Sequence, residues 1–267
     1  MVLRSVSGGV PGGQPGRREA ELVTSPADPP ARTPGSIPAA PAAAPAPGDL
    51  LSNRYVLHEF LIDGSTSRLF RALDRQREAA GDPDPWVVLK IVSAPPGSAT
   101  DGAAPGLQAL RREAALARGL DHPNLPRIAG LEQDGNHSFV CMNWVRGESL
   151  AAILDGRGTR PMTRVQTLKI LDGVGRALAH LHGLGITHAD VKPGNILVTA
   201  EGHATLLDFG VALGPGADYL PPVRGYTAEY ASPDVLAGGE PVPADDLFSL
   251  AGVAYRMLAG HRAFGGL

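Results

Sequence analysis

The apolar pattern of this chain changes character at about residue 143. From Tyr55 to that point alternation in twos prevails, with one helical stretch; beyond it helical spacing prevails, with one short hairpin. Tyr55–Ile62, Arg68–Asp74 and Trp86–Val92 predict three strands, and Arg127–Gln133 and His137–Asn143 predict two more around an Asp134-Gly135-Asn136 turn. Leu107, Leu110, Ala114 and Ala117 place a helix over Leu107–Leu120. The second half opens on a long helix over Thr163–Leu184, with Val165, Leu168, Leu171, Val174, Leu178 and Leu181 as its apolar stripe. A small hairpin follows, Ile196–Val198 and Ala204–Leu207, then a nearly all-apolar helix over Asp246–Ala259, expected to be deeply buried. The fold class is therefore α+β, with a five-stranded antiparallel sheet carrying one helix and a mainly helical second half.

Residues 1–48 read differently. They hold ten of the 25 prolines, and the first aromatic residue is Tyr55. Such a segment buries too little apolar surface to offset its ordering entropy, so residues 1–53 are expected to form a disordered or polyproline-like tail. A globular unit over 54–267 follows, divided at about 143.

A net charge of −3 asks for no nucleic acid and no anionic membrane surface. The single cysteine, Cys141, excludes an intrachain disulfide and lies in an apolar run, where it reads as a small buried hydrophobe. Met1–Ser5 lacks the apolar stretch of a secretory signal, and no run of about 20 apolar residues crosses a membrane. These readings place the chain in the cytoplasm; a membrane anchor would belong to a longer parent protein.

Only three of the 24 cationic Lys and Arg residues are lysines: Lys90, Lys169 and Lys192. Where arginine serves almost everywhere, a retained lysine marks a place for a compact ammonium. Lys90 lies on the third strand and Glu113 on the next helix. The loop His188-Ala189-Asp190-Val191-Lys192-Pro193-Gly194-Asn195 follows the long helix, and Asp208-Phe209-Gly210 ends the hairpin. Phosphoryl transfer needs phosphate charge neutralised and atoms held in line. Lys90 and Glu113 can supply an aimed cation, Asn195 and Asp208 hard oxygens for Mg²⁺, Asp190 a base, and Lys192 charge for the transferred group.

In this order the motifs resemble the protein-kinase family, in particular bacterial Hanks-type Ser/Thr kinases. An isolated Asp-Phe-Gly is weak; all four motifs on the expected elements are specific. The resemblance implies a two-lobed fold, with one lobe at about 54–143 and a partial second lobe at about 144–267. It also implies transfer of the γ-phosphoryl of ATP to Ser or Thr of a protein substrate, in a signalling role. Mg²⁺ is the expected metal, Mn²⁺ an alternative, and self-association would serve autophosphorylation. Catalytic roles fall on Asp190, Lys192, Lys90, Glu113 and Thr227, the last within Gly225–Asp234, which looks like the end of an activation segment. Nucleotide contacts fall on Ile62, Gly64, Ser67, Leu69, Lys90, Met142 as gatekeeper, the backbone of Asn143 to Val145, Asn195 and Asp208. Asn195 and Asp208 hold the metal.

Three departures carry expectations of their own. The glycine-rich loop keeps only Gly64 of three glycines, with Ile62 and Ser67 at the others and Asp63 adding negative charge, which predicts weaker ATP binding. Ala189 replaces the arginine that pairs with a phosphorylated activation loop in the family, so activity should not depend on that phosphorylation. Asp234 stands where glutamate is usual, and the chain stops at Leu267, three helices short of the family pattern, which predicts exposed apolar surface on the last helix. These departures favour a second reading, a pseudokinase scaffold that binds nucleotide or partners without efficient transfer. A third is a small-molecule kinase such as an aminoglycoside phosphotransferase, which Lys192 and Thr227–Asp234 argue against. A metal hydrolase is opposed by His180 and His182, two apart on a helix and so not sharing a face.

Overall fold

The computed structural model describes residues 44–64, 67–93, 105–215 and 225–264. Its larger sheet contains β1 (Leu50–Leu51), β2 (Tyr55–Asp63), β3 (Arg68–Asp74), β4 (Trp86–Ser93), β5 (Ile128–Asp134) and β6 (His137–Asn143). The strands are all antiparallel, in the order β1-β2-β3-β4-β6-β5. Two helices interrupt them, α1 (Arg75–Ala79) and α2 (Pro105–Leu116). The sheet thus has a sixth strand beyond the five expected. Leu51 is buried and Leu50 pairs with Val56, so the sheet begins inside the stretch assigned to the tail. The rest of that tail, 1–43, lies outside the described residues.

The strands form where β-branched and aromatic residues alternate. On β4, Val87, Leu89 and Ile91 face one core with Tyr55, Leu57, Phe70, Phe139 and Cys141. Val88 faces the other way, into a second core with Leu110, Val140 and Met142. The period of two therefore fixes the face of Lys90: it shares that of Val88, beneath α2, opposite Val140 in register.

The remaining elements are β7 (Glu148–Ser149), α3 (Leu150–Arg157), α4 (Arg164–Gly183), β8 (Ile196–Val198), β9 (Ala204–Leu206), α5 (Pro233–Leu236) and α6 (Pro243–Ala259). A short 3₁₀ turn, Pro193–Asn195, leads into β8, and β7-β8-β9 form a second small sheet. A capping box starts α4: the Thr163 hydroxyl accepts from Gln166 N–H, and the Gln166 side chain accepts from Thr163 N–H. Pro243 occupies the first turn of α6, and the Asp245 carboxylate accepts from Val242 N–H at 2.7 Å. The helix begins three residues before the start expected from apolar content.

Two burial expectations need correction. The buried face of α4 is Thr167, Ile170, Gly173, Val174, Ala177, Leu178 and Leu181, whereas Val165 and Leu168 are 77% and 65% exposed. A Cβ on Gly173 would come within 2.9 Å of the Asn124 amide and 3.3 Å of the Ala204 Cβ, so α4 is set by its closeness to the segment before β5 and to the start of β9. The last helix, α6, is buried along one face only, at Asp245, Asp246, Ser249, Val253 and Met257. Leu247, Tyr255 and Leu258 are exposed, as expected for apolar surface on this helix. No helix among the described residues is long and apolar enough to cross a membrane.

Candidate active site

β4 brings Lys90 beneath α2, whose Glu113 is fully buried among the apolar side chains of its inner face. Lys90 Nζ lies 2.8 Å from Glu113 Oε2 and 2.7 Å from Asp208 Oδ1. Asp208 follows β9 with φ +72, a left-handed conformation rare outside glycine. Phe209 beside it is buried in the helical core, and Gly210 N–H donates to Asp208 Oδ1 at 3.1 Å. One ammonium therefore ties the sheet, α2 and the segment after β9 together.

The charges follow from burial and pairing. Burial works against the charge on Lys90, but Glu113 and Asp208 together raise its affinity for the proton above the ordinary value. Burial pushes the Glu113 carboxyl upward, and its one cation offsets this only in part. Asp208 also resists burial, yet the Lys90 ammonium and the Gly210 N–H hold its carboxyl below the ordinary value.

The loop after α4 builds a second cluster. Asp190 Oδ1 accepts from the Thr227 hydroxyl at 2.9 Å. Asp190 Oδ2 lies 2.6 Å from Lys192 Nζ and accepts from Asn195 Nδ2 at 3.0 Å. Lys192 also donates to Thr227 Oγ1 at 2.9 Å, closing a triangle of Asp190, Lys192 and Thr227. Asn195 is buried; its Nδ2 also holds the Asp190 carbonyl, and its own carbonyl accepts from Leu207 N–H. That bond joins the loop to the strand leading to Asp208.

A residue absent from the expected site anchors this loop. Asp246 on α6 is buried, and its carboxylate accepts from His188 N–H, Ala189 N–H and His182 Nε2, each at 2.8 Å. Ala189 has φ +65, so its backbone is strained, and Asp246 holds it there. His188 Nε2 lies 3.0 Å from the Leu207 carbonyl, and Asp190 N–H donates to His188 Nδ1 at 3.3 Å. The signal for Asp246 was two adjacent acids on an otherwise apolar helix, a pattern that burial alone cannot favour.

The expected nucleotide contacts are placed unevenly. Met142 is buried on β6 opposite Val88, and Asn143 ends the same strand with its side-chain carbonyl bonded to Arg127 N–H. Val145 is half-buried in the link to β7. Leu69 packs toward the α2 core, opposite Lys90, whereas Ile62 is 56% exposed. Gly64 N–H donates to the Ser67 carbonyl at 2.9 Å, and a Cβ on Gly64 would meet that oxygen, so the one retained glycine is required by the turn. Asp63 pairs with Arg68 at 3.3 Å, which offsets the negative charge read there from sequence. Residues 65 and 66 lie outside the described residues.

Known proteins are similar along most of this length. The family model for the protein kinase domain matches residues 56–266. Serine/threonine-protein kinase PknA of Mycobacterium tuberculosis is 30% identical over 227 residues, covering 82% of this chain and 50% of PknA. Serine/threonine-protein kinase PknL of the same organism is 31% identical over 220 residues, covering 81% of this chain and 52% of PknL. The drp72 serine/threonine-protein kinase of Corynebacterium efficiens is 38% identical over 132 residues, 48% of this chain and 25% of that protein. This chain thus spans about half the length of the two mycobacterial relatives. With the motifs on the elements described above, the chain belongs to the protein kinase domain family.

Proposed function

We propose that this chain is the catalytic domain of a protein serine/threonine kinase, transferring the γ-phosphoryl of ATP to a hydroxyl of a protein substrate. The carrying observation is the Asp190 carboxylate, held by Thr227, Lys192 and Asn195. Asp190 accepts the proton of the substrate hydroxyl as that oxygen attacks. Lys192 offsets charge developing on the transferred group. Lys90, aimed by Glu113, meets the α/β-phosphates. Met142, Asn143 and Val145 border the adenine, and Ile62, Gly64, Ser67 and Leu69 cover the nucleotide.

The donor set fits a hard divalent cation. Asp208 is kept ionised, and the Asn195 amide nitrogen is spent on Asp190, which leaves its side-chain carbonyl oxygen as the available ligand. Asp208 and Asn195 would hold Mg²⁺, with Mn²⁺ accepted by the same oxygens. The bound ion would neutralise phosphate charge. We place the unit from β1 onward, in the cytoplasm, with protein substrates and self-association for autophosphorylation.

A nucleotide-binding scaffold without transfer is the second reading, favoured by the single loop glycine and the exposed Ile62. Incorporation of labelled γ-phosphate from ATP–Mg²⁺ into the chain and a generic basic protein decides between them. Signal that disappears in both Asp190→Ala and Lys90→Met is expected. No signal from folded, ATP-binding wild type, and none from a longer parent protein, would sink the transferase reading and leave the scaffold.

A further inference from the structure

A cavity of about 290 Å³ lies beside the catalytic loop, bounded by Ala189, Val211, Leu213, Tyr226, Val235 and Pro241. Its described lining holds no lysine or arginine, and its one charged residue is Glu240. Among the described residues an anion placed there would find no cation and would face a carboxylate. The lining suits the opposite chemistry, since alanine, valine, leucine and proline side chains and a tyrosine ring present carbon. The size is close to the lower end of small-molecule pockets, roughly 300–1,000 Å³, and well above the roughly 150 Å³ that takes a single benzene in an apolar interior.

Its position gives occupancy a consequence. Ala189 directly precedes Asp190, and Tyr226 directly precedes Thr227, the residue whose hydroxyl donates to Asp190. Ala189 also carries the left-handed backbone held by Asp246. A group filling the cavity therefore presses on both chain segments that set the Asp190–Thr227 bond.

We propose that this cavity binds a small neutral aromatic molecule of one or two rings, and that its occupancy is felt at Asp190 and Thr227. The proposal stands on the cavity and not on the transferase reading. Indole titrated into the full chain, followed by calorimetry and by amide resonances, tests it. Saturable binding is expected, with the amides of Asp190 and Thr227 shifting. Val235→Phe, which fills the cavity, should weaken binding at least tenfold. Leu213→Ala, which enlarges it, should shift preference from benzene toward naphthalene, and it decides the matter if Val235→Phe does not fold. Absence of saturable binding, or binding that neither variant alters, overturns the site. Competition by inorganic phosphate, or binding of an apolar peptide but not indole, overturns the ligand class. Binding without shifts at Asp190 and Thr227 overturns the coupling.

Discussion

Asp190 holds two competing demands at one carboxylate. As the proposed base it must keep a lone pair for a proton, and it must not drift. Thr227 supplies the positioning hydrogen bond to one oxygen, while Lys192 and Asn195 occupy the other. Asp190→Asn should lower kcat by about 10²–10⁴-fold with little change in KM for ATP, as expected for loss of a general base. Thr227→Ala should cost about tenfold, the worth of one such hydrogen bond, and Thr227→Ser should restore it. Steady-state kinetics with a peptide substrate check both. Cys141 shows the reverse case, a residue whose chemistry is silenced by its place. Burial on the inner face of β6 pushes its thiol up to about 11. Native protein at pH 8 should therefore resist iodoacetamide, and denatured protein should take up one equivalent, read by mass.

Elements carry the next order of control, because a strand or helix decides which way a side chain can face. Asp74 ends β3 and caps α1: it accepts from Arg54 Nε at 2.9 Å and Nη2 at 2.6 Å, and from Gln76 N–H at 3.0 Å. Asp74→Ala leaves these donors unpartnered beside buried surface and should cost about 3 kcal/mol, read by urea denaturation. Burial opposes the Asp74 charge, but Arg54 and the backbone donors hold its carboxyl below its ordinary value. With the folded pKa depressed, this stabilisation is complete above the ordinary carboxylate range and is lost as pH falls through the folded value. The gap between wild type and Asp74→Ala should therefore close on acidification. Helix α6 acts through Asp246 in the same way. Asp246→Asn sets an amide N–H₂ against backbone N–H donors, so the Ala189 backbone should relax, and both Tm and kcat should fall.

Seven strands were legible in the sequence to within a residue, because a half-buried strand writes its face into every second position; the two-residue β1 and β7 are too short to carry that signal. The three longest helices were legible as helices but not in direction, and the short α1, α3 and α5 were not read at all. Val165 and Leu168 continue the apolar stripe of α4 yet lie exposed, since Gly173 and Asn124 set where the helix touches its neighbours. On α6 the acids Asp245 and Asp246 lie on the buried face while Leu247, Tyr255 and Leu258 are exposed, so polarity does not mark which face packs. Asp63 read alone as a liability for phosphate; only the β2–β3 pairing sets Arg68 beside it.

At the scale of the whole molecule, Lys90 joins regions that pack in different cores, the sheet and α2 on one side and the segment of Asp208 on the other. A nucleotide bound there should stabilise the whole chain. At a hundred times Kd the gain is about 2.7 kcal/mol, visible as a rise in Tm with ATP–Mg²⁺ that Lys90→Met abolishes. The cavity beside Ala189 bears on regulation at the same scale. The described lining holds no cation, so a phosphate added beside it has no partner among those residues. Phosphatase treatment should leave turnover unchanged, and its loss would refute this.

Residue types and local pattern carry the proposed chemistry: which residues could neutralise phosphate, bind a hard metal and take a proton, and on which elements they sit. Short-range rules reach that far, since strand alternation puts Lys90 on one face and turn residues bring Asp190 out of a helix. Only the packed chain shows that Asp246, 56 residues beyond Asp190, anchors the loop, and that the described lining of the space beside Ala189 is mostly apolar. Each of these depends on groups distant in the chain meeting at one point. Desolvation and pairing act on the spatial neighbour, and the linear pattern does not carry its identity.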